Sequence, residues 1–150
     1  MRYLILPLLT ASFLCLAPGA EHTNFVGNWQ LDTASTPSID GKQVTSATLT
    51  IDYRQKMIHL SKTFNFADGN KAVAEEWKLD HKYHPVTGAG TGEFLAKWEG
   101  HTVLAAEHEM QGGHENIRLT LSPDGRTLTE TIHRTGSSGS SDTALVWNRL

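Results

Sequence analysis

Apolar and polar residues alternate with a period of two along most of the chain after residue 20, the mark of strands with one buried face. Ala47, Leu49, Ile51 and Tyr53 alternate with Thr48, Thr50 and Asp52. After a tight connection at Arg54-Gln55 the apolar face resumes at Ile58, Leu60, Phe64 and Phe66. Lys62 is the one break in that face, and a break of this kind reads as a strand edge, a bulge or a barrel mouth. Further strands are expected over 25–31, 73–79, 93–98, 102–110, 115–121, 127–133 and 143–147, about nine in all. Asp68-Gly69-Asn70, Glu99-Gly100, Gln111-Gly112-Gly113 and Asp124-Gly125 supply the positive backbone angles that hairpins require. Segments 33–42, 81–91 and 136–141 read as loops from their Ser, Thr, Pro and Gly content. Short local connections predict an all-β fold, a single antiparallel up-and-down barrel of eight or nine strands, since closure removes sticky edges.

The first 20 residues follow another pattern. Arg2 gives a positive end, Leu4 to Leu16 form an apolar stretch interrupted by Pro7, and Ala17-Pro18-Gly19-Ala20 offers small residues for a signal peptidase. The expectation is a secretory signal over 1–20, cut after Gly19 or Ala20, ahead of one domain over 21–150 that is exported to a periplasmic or extracellular space. The stretch is too short to span a bilayer comfortably. The single cysteine, Cys15, falls inside it, so the mature domain has no disulfide. The alternative is that Cys15 carries a lipid anchor, against which the bulky Phe13 and Leu14 before it argue.

Composition narrows the function classes. The 150 residues carry 13 Lys and Arg against 16 Asp and Glu, and losing Arg2 with the leader leaves 12 against 16, a net charge of −4. That mild acidity argues against nucleic acid as a partner. With 39% hydrophobic residues the chain is neither disordered nor membrane-embedded.

The opening Phe25-Val26-Gly27-Asn28-Trp29-Gln30-Leu31-Asp32 resembles the Gly-x-Trp start of lipocalin-like (calycin-type) proteins, in particular small exported bacterial domains. Pro85-Val86-Thr87-Gly88 and Ser122-Pro123-Asp124-Gly125-Arg126-Thr127-Leu128-Thr129 are similar to recurring pieces of that group. The resemblance implies a ligand-binding barrel. It also implies a structural end in which Gly27 admits a sharp bend, Trp29 plugs the barrel, and a basic side chain of the last strand, here Arg149, stacks on the tryptophan.

Candidate chemistry is thinner. Eight histidines, His22, His59, His81, His84, His101, His108, His114 and His133, invite a metal reading, but no two share a strand at i, i+2 spacing, so no metal site and no cofactor is expected. A cross-strand site joining His108 to His59 or His114 stays open. Among Glu75, Glu76, Glu107, Glu109 and Glu130, Glu107 would be the acid or base if it faced inward. The alternation Leu104, Ala106, Met110 instead puts Glu107 and Glu109 in water. No Gly-x-Ser-x-Gly is present, the serines cluster in 137–141, and Gly88-Ala89-Gly90-Thr91-Gly92 sits in a β context unsuited to a phosphate cradle.

The aromatic residues carry the positive signal. If Leu49, Ile51 and Tyr53 face inward, Ile58, Leu60, Phe64 and Phe66 join them, and with Trp77 and Leu79 they define the wall of a ligand cavity. The leading expectation is therefore an exported module that binds a small, largely apolar molecule. One alternative is a structural or protein-binding barrel with a filled core. A second is an enzyme lined by His and Glu, which requires such a pair in contact within a pocket.

Overall fold

The computed structural model describes residues 22–36, 38–39, 41–86 and 91–150; the leader, its cleavage sites and Cys15 lie outside the described residues. A single 3₁₀ turn, His22–Phe25, leads into ten strands: β1 Gly27–Leu31, β2 Val44–Arg54, β3 Met57–Phe66, β4 Gly69–Lys78, β5 His84–Pro85, β6 Glu93–Glu99, β7 Val103–Met110, β8 Gly113–Leu121, β9 Thr127–Gly136 and β10 Gly139–Arg149. All pairings are antiparallel, in the order β4-β3-β2-β1-β10-β9-β8-β7-β6-β5. Each strand thus pairs with its sequence neighbour, and β1 pairs with β10 to bring the sheet round on itself. The barrel is nearly closed, interrupted only between the sheet edges β4 and β5.

The count is ten rather than eight or nine because the 81–91 segment, expected to be a loop, contributes the two-residue β5 on the edge of β6. Pro85 is tolerated there because an edge strand does not need its missing N–H. The Ser/Gly-rich segment 136–141 likewise joins the β9–β10 hairpin, with Gly136 opposite Gly139 and Ser141 opposite Arg134. A long ladder on both sides overrides the weak local strand preference of serine and glycine. The only described helical element is the opening turn, and no helix among the described residues is long and apolar enough to cross a membrane.

One end of the interior is solid. Trp29 is fully buried and its indole N–H donates to the Phe25 carbonyl over 3.2 Å. The Arg149 guanidinium carbon lies 4.3 Å from the Trp29 ring centroid, with the two residues paired across β1 and β10. Arg149 also donates to three carbonyls, those of Asn24, Val26 and Gly125. Gly27 makes the approach possible, because a Cβ there would stand 2.9 Å from an Arg149 nitrogen on a backbone with φ of +146°. Phe25 packs on Trp98 with ring centroids 5.1 Å apart, and Leu49, Ile51, Leu104, Leu119 and Leu128 fill the space around them.

Candidate functional site

The alternation that closes one end carries charge into the rest of the interior. On β3 the inward positions are Ile58, Leu60, Lys62 and Phe64, so Lys62 does not mark an edge or a mouth as its sequence context suggests. β3 is hydrogen-bonded on both sides, and its one register shift lies at Val44/Ser46. Lys62 is 6% exposed and its ammonium donates to Glu130 Oε1 on β9 at 2.5 Å. Glu130, fully buried, accepts the Trp147 indole N–H on its other oxygen at 3.2 Å. Burial opposes the charge on Lys62, but Glu130 first, then Glu75 and Glu115, hold its pKa above the ordinary lysine value.

A second polar row crosses three neighbouring strands. His108 on β7, Glu115 on β8 and Arg134 on β9 are consecutive register partners. Arg134 Nε donates to Glu115 Oε1 at 2.6 Å, and His108 Nδ1 lies 3.4 Å from Glu115 Oε2. The other ring nitrogen of His108 lies 3.1 Å from the Thr91 carbonyl. Glu75, on the inward face of β4 two positions before Trp77, completes the set. Its Oε2 is buried and has no hydrogen-bond partner among the described residues, and the same holds for the Trp77 indole N–H.

Around these groups lie two cavities that share Glu75, Glu115 and Ile117 as walls. The larger, ≈ 380 Å³, lies beside the gap between β4 and β5, lined on its apolar side by Met57, Trp77, Pro85, Val86, Phe94 and Ile117 and on its polar side by Glu75, Glu76, Lys78, His84, His108 and Glu115. The smaller, ≈ 130 Å³, continues toward the β3–β4 and β9–β10 hairpins past Lys62, Phe64 and Arg134. No backbone ladder closes the gap. The Trp77 and Phe94 rings meet across it with centroids 5.1 Å apart, and Phe94 in turn lies 5.8 Å from His108. Gly92 holds β6 close to its neighbour: a Cβ there would fall 1.9 Å from the Glu109 carbonyl oxygen, on a backbone with φ of +109°.

Of the nine wall residues expected from strand parity, Trp77 lines the larger cavity and Phe64 the smaller. Leu49, Ile51, Ile58 and Leu60 belong to the packed core, and Tyr53, Phe66 and Leu79 pack against it half-buried. Phe66 faces a separate shallow pocket near the β3–β4 turn. Lys62, Glu75, Glu115 and Glu130 are interior groups that the run of apolar residues does not announce, although each sits two residues from an inward apolar side chain on its strand.

Four of the other histidines pair with carboxylates. His59 meets Glu76, His114 meets Glu109 and His133 meets Asp142, each directly across a ladder, and His84 meets Asp80 at 2.8 Å. His108 is therefore joined to neither His59 nor His114. Among the described residues no group of three or more His, Cys, Asp or Glu side chains is placed to hold a metal ion. Glu107 lies outside the barrel, accepting the Tyr83 hydroxyl at 3.0 Å and Lys97 at 3.4 Å; chiefly the tyrosine bond holds its pKa below the usual value.

The architecture is that of the calycin and fatty-acid-binding-protein-like barrels. No family model and no curated protein matches the chain. Solved structures do. A fatty acid binding protein of Schistosoma mansoni, in complex with arachidonic acid, is 14% identical with a TM-score of 0.62, over 87% of this chain and 98% of that one. The ileal bile-acid-binding protein of zebrafish, complexed with cholic acid, is 12% identical with a TM-score of 0.54, over 85% and 99%. A mutant of the fluorescent protein UnaG is 14% identical with a TM-score of 0.55, over 85% and 96%. At these identities the likeness is one of fold.

Proposed function

We propose that this protein binds a small, largely apolar molecule inside its barrel, and that it does so outside the cytoplasm after removal of residues 1–20. The observation that carries the binding reading is the ≈ 380 Å³ cavity beside the β4–β5 gap. Its size falls within the range of small-molecule sites, and it joins an apolar wall to a set of polar groups that can fix a ligand's orientation. Barrels of the same fold that hold arachidonic acid and cholic acid support the reading. Export rests on the pattern of the first 20 residues alone.

Binding fits the geometry better than either alternative. A filled barrel would leave no cavity. The enzyme reading asks for a His and a carboxylate in contact within a pocket, and His108 and Glu115 come close to this at 3.4 Å. Both His108 nitrogens, however, face protein acceptors, and Glu115 is engaged by Arg134 at 2.6 Å. Neither ring nitrogen is turned to a substrate.

The test is a titration with N-phenylnaphthylamine, an uncharged apolar fluorophore. Saturable binding at one site per chain, with quenching of tryptophan emission through Trp77, is expected. Ile117→Trp should weaken it by about tenfold or more, because the larger side chain enters the wall shared by both cavities. Absence of saturable binding to the wild type removes the proposal. For export, the mature N-terminus should begin at Ala20 or Glu21; recovery of the intact leader would refute it.

A further inference from the structure

Resting on that reading, we infer that the larger cavity selects ligands whose polar end donates hydrogen bonds, an alcohol or an amine on an apolar body, and disfavours carboxylic acids. Glu75 and Trp77 occupy successive inward positions of β4, so their side chains project to the same side from positions about 6.6 Å apart along the strand. The Glu75 carboxyl offers a buried oxygen with no partner among the described residues, and Trp77, only 1% exposed, offers an indole N–H in the same condition. Both line the larger cavity. Buried polar groups are normally paired, so a vacant acceptor beside a vacant donor marks where a ligand's polar end belongs.

The basic side chains around the cavity already have partners. Lys78 and His84 both pair with Asp80, at 3.1 and 2.8 Å. His108 lies between Glu115 and the Thr91 carbonyl. Deeper in the barrel Lys62 is held by Glu130 and Arg134 by Glu115, while Lys71 stands exposed at the outer wall of the smaller cavity. Beside the Glu75–Trp77 pair a ligand carboxylate would face Glu75 and Glu115 at low dielectric and meet the Trp77 N–H, while Lys78 and His84 in the same wall are engaged by Asp80. A hydroxyl can donate to Glu75 and accept from Trp77. An ammonium gains the charge of Glu75 as well.

Decylamine, decanol and decanoate, which share one chain and differ at the head, should be compared for displacement of N-phenylnaphthylamine from the wild-type protein near pH 7. The amine and the alcohol should each bind at least about tenfold more tightly than the acid, since a site built around unpaired polar groups discriminates strongly against the wrong partner. Glu75→Gln replaces an acceptor by a group that can also donate, and should narrow or reverse the gap between amine and acid while the alcohol changes little. Decanoate binding as tightly as the other two, or a gap that survives Glu75→Gln undiminished, overturns the inference but leaves the barrel a binding protein. If none of the three displaces a probe that itself fails to bind, the functional reading has failed and this inference with it. Should Glu75→Gln not fold, the wild-type ranking decides alone.

Discussion

Lys62→Met breaks the ion pair that joins opposite walls of the barrel. At 2.5 Å and an effective dielectric near 20, the attraction between Lys62 and Glu130 is about 7 kcal/mol. Desolvation costs several kcal/mol for each ion, and with side-chain exposures of 7% and 0% neither recovers that cost from water. The pair is therefore close to neutral as a unit, whereas removal of one partner is not. Lys62→Met leaves Glu130 with only the Trp147 N–H, and the expected loss is roughly 3–5 kcal/mol. Glu130→Leu should cost a similar amount by stranding the lysine, and the double variant should recover most of the loss, giving a coupling of about 3 kcal/mol or more. Urea unfolding followed by tryptophan emission and far-UV circular dichroism measures all four proteins. A Lys62→Met loss below about 1 kcal/mol, or additive single losses, would refute the view that these charges are sealed from water. The pair also sets the alkaline limit. Because the folded protein raises the lysine pKa, its contribution is complete below the unfolded value of roughly 10.4 and is lost as pH climbs through the higher folded value. On the alkaline side, the stability difference between wild type and the double variant should hold steady from about pH 7 to about pH 10 and fall above it.

Three further outcomes are expected. Gly92→Ala drives a methyl group into the Glu109 carbonyl from a left-handed backbone, so it should destabilise by about 2–4 kcal/mol and speed amide exchange at Val86, whose N–H donates to the Gly92 carbonyl at 3.0 Å; exchange like that of the wild type would contradict the close approach of β6 to β7. Arg149→Met keeps the stem but loses the contact with Trp29 and the bonds to three carbonyls, at an expected cost of about 1–3 kcal/mol in urea unfolding. Lysine at position 149 should not restore it, because one ammonium cannot reproduce the fork. Asp80, whose pKa is lowered to about 2 chiefly by the His84 hydrogen bond, should titrate there by carbon-detected NMR and move up toward the ordinary value in His84→Ala; its contribution to stability is present above roughly pH 3.9 and lost as pH falls through about 2.

Most of the architecture was legible in the chain because strand periodicity and turn chemistry are local. The alternation of Leu49, Ile51 and Tyr53 with threonines, and the glycines at 69, 100, 112 and 125, belong to any fold that pairs neighbouring strands. The two-residue β5 was not legible, since it exists only by docking on Phe94 and Glu93. The candidate site lay halfway between. Trp77 and Phe64 were named as wall residues from parity. Lys62, Glu75, Glu115 and Glu130 obey the same parity, and extending the two-residue spacing through the charges would have put them inside. The alternation runs on through Lys62 to Phe64 and Phe66, but a lone charge in such a face reads as a strand edge, a bulge or a barrel mouth, which holds only for a charge that finds no partner across the barrel.

What the sequence by itself determined is thus the nine longer strands, their order and the face of their apolar residues, because a period of two is written in consecutive side chains. The pairings across the interior were decided by tertiary structure alone. Lys62 and Glu130 are 68 residues apart, and nothing near either of them announces the other. The location of the cavity was decided there as well. The two ends of the sheet meet through the Trp77 and Phe94 rings instead of a hydrogen-bonded ladder, and a gap of that kind is a property of how the whole sheet curls. Whether an inward glutamate is paired, like Glu130, or left open, like Glu75, depends on the distance to the far wall, and no local pattern in the chain encodes that distance.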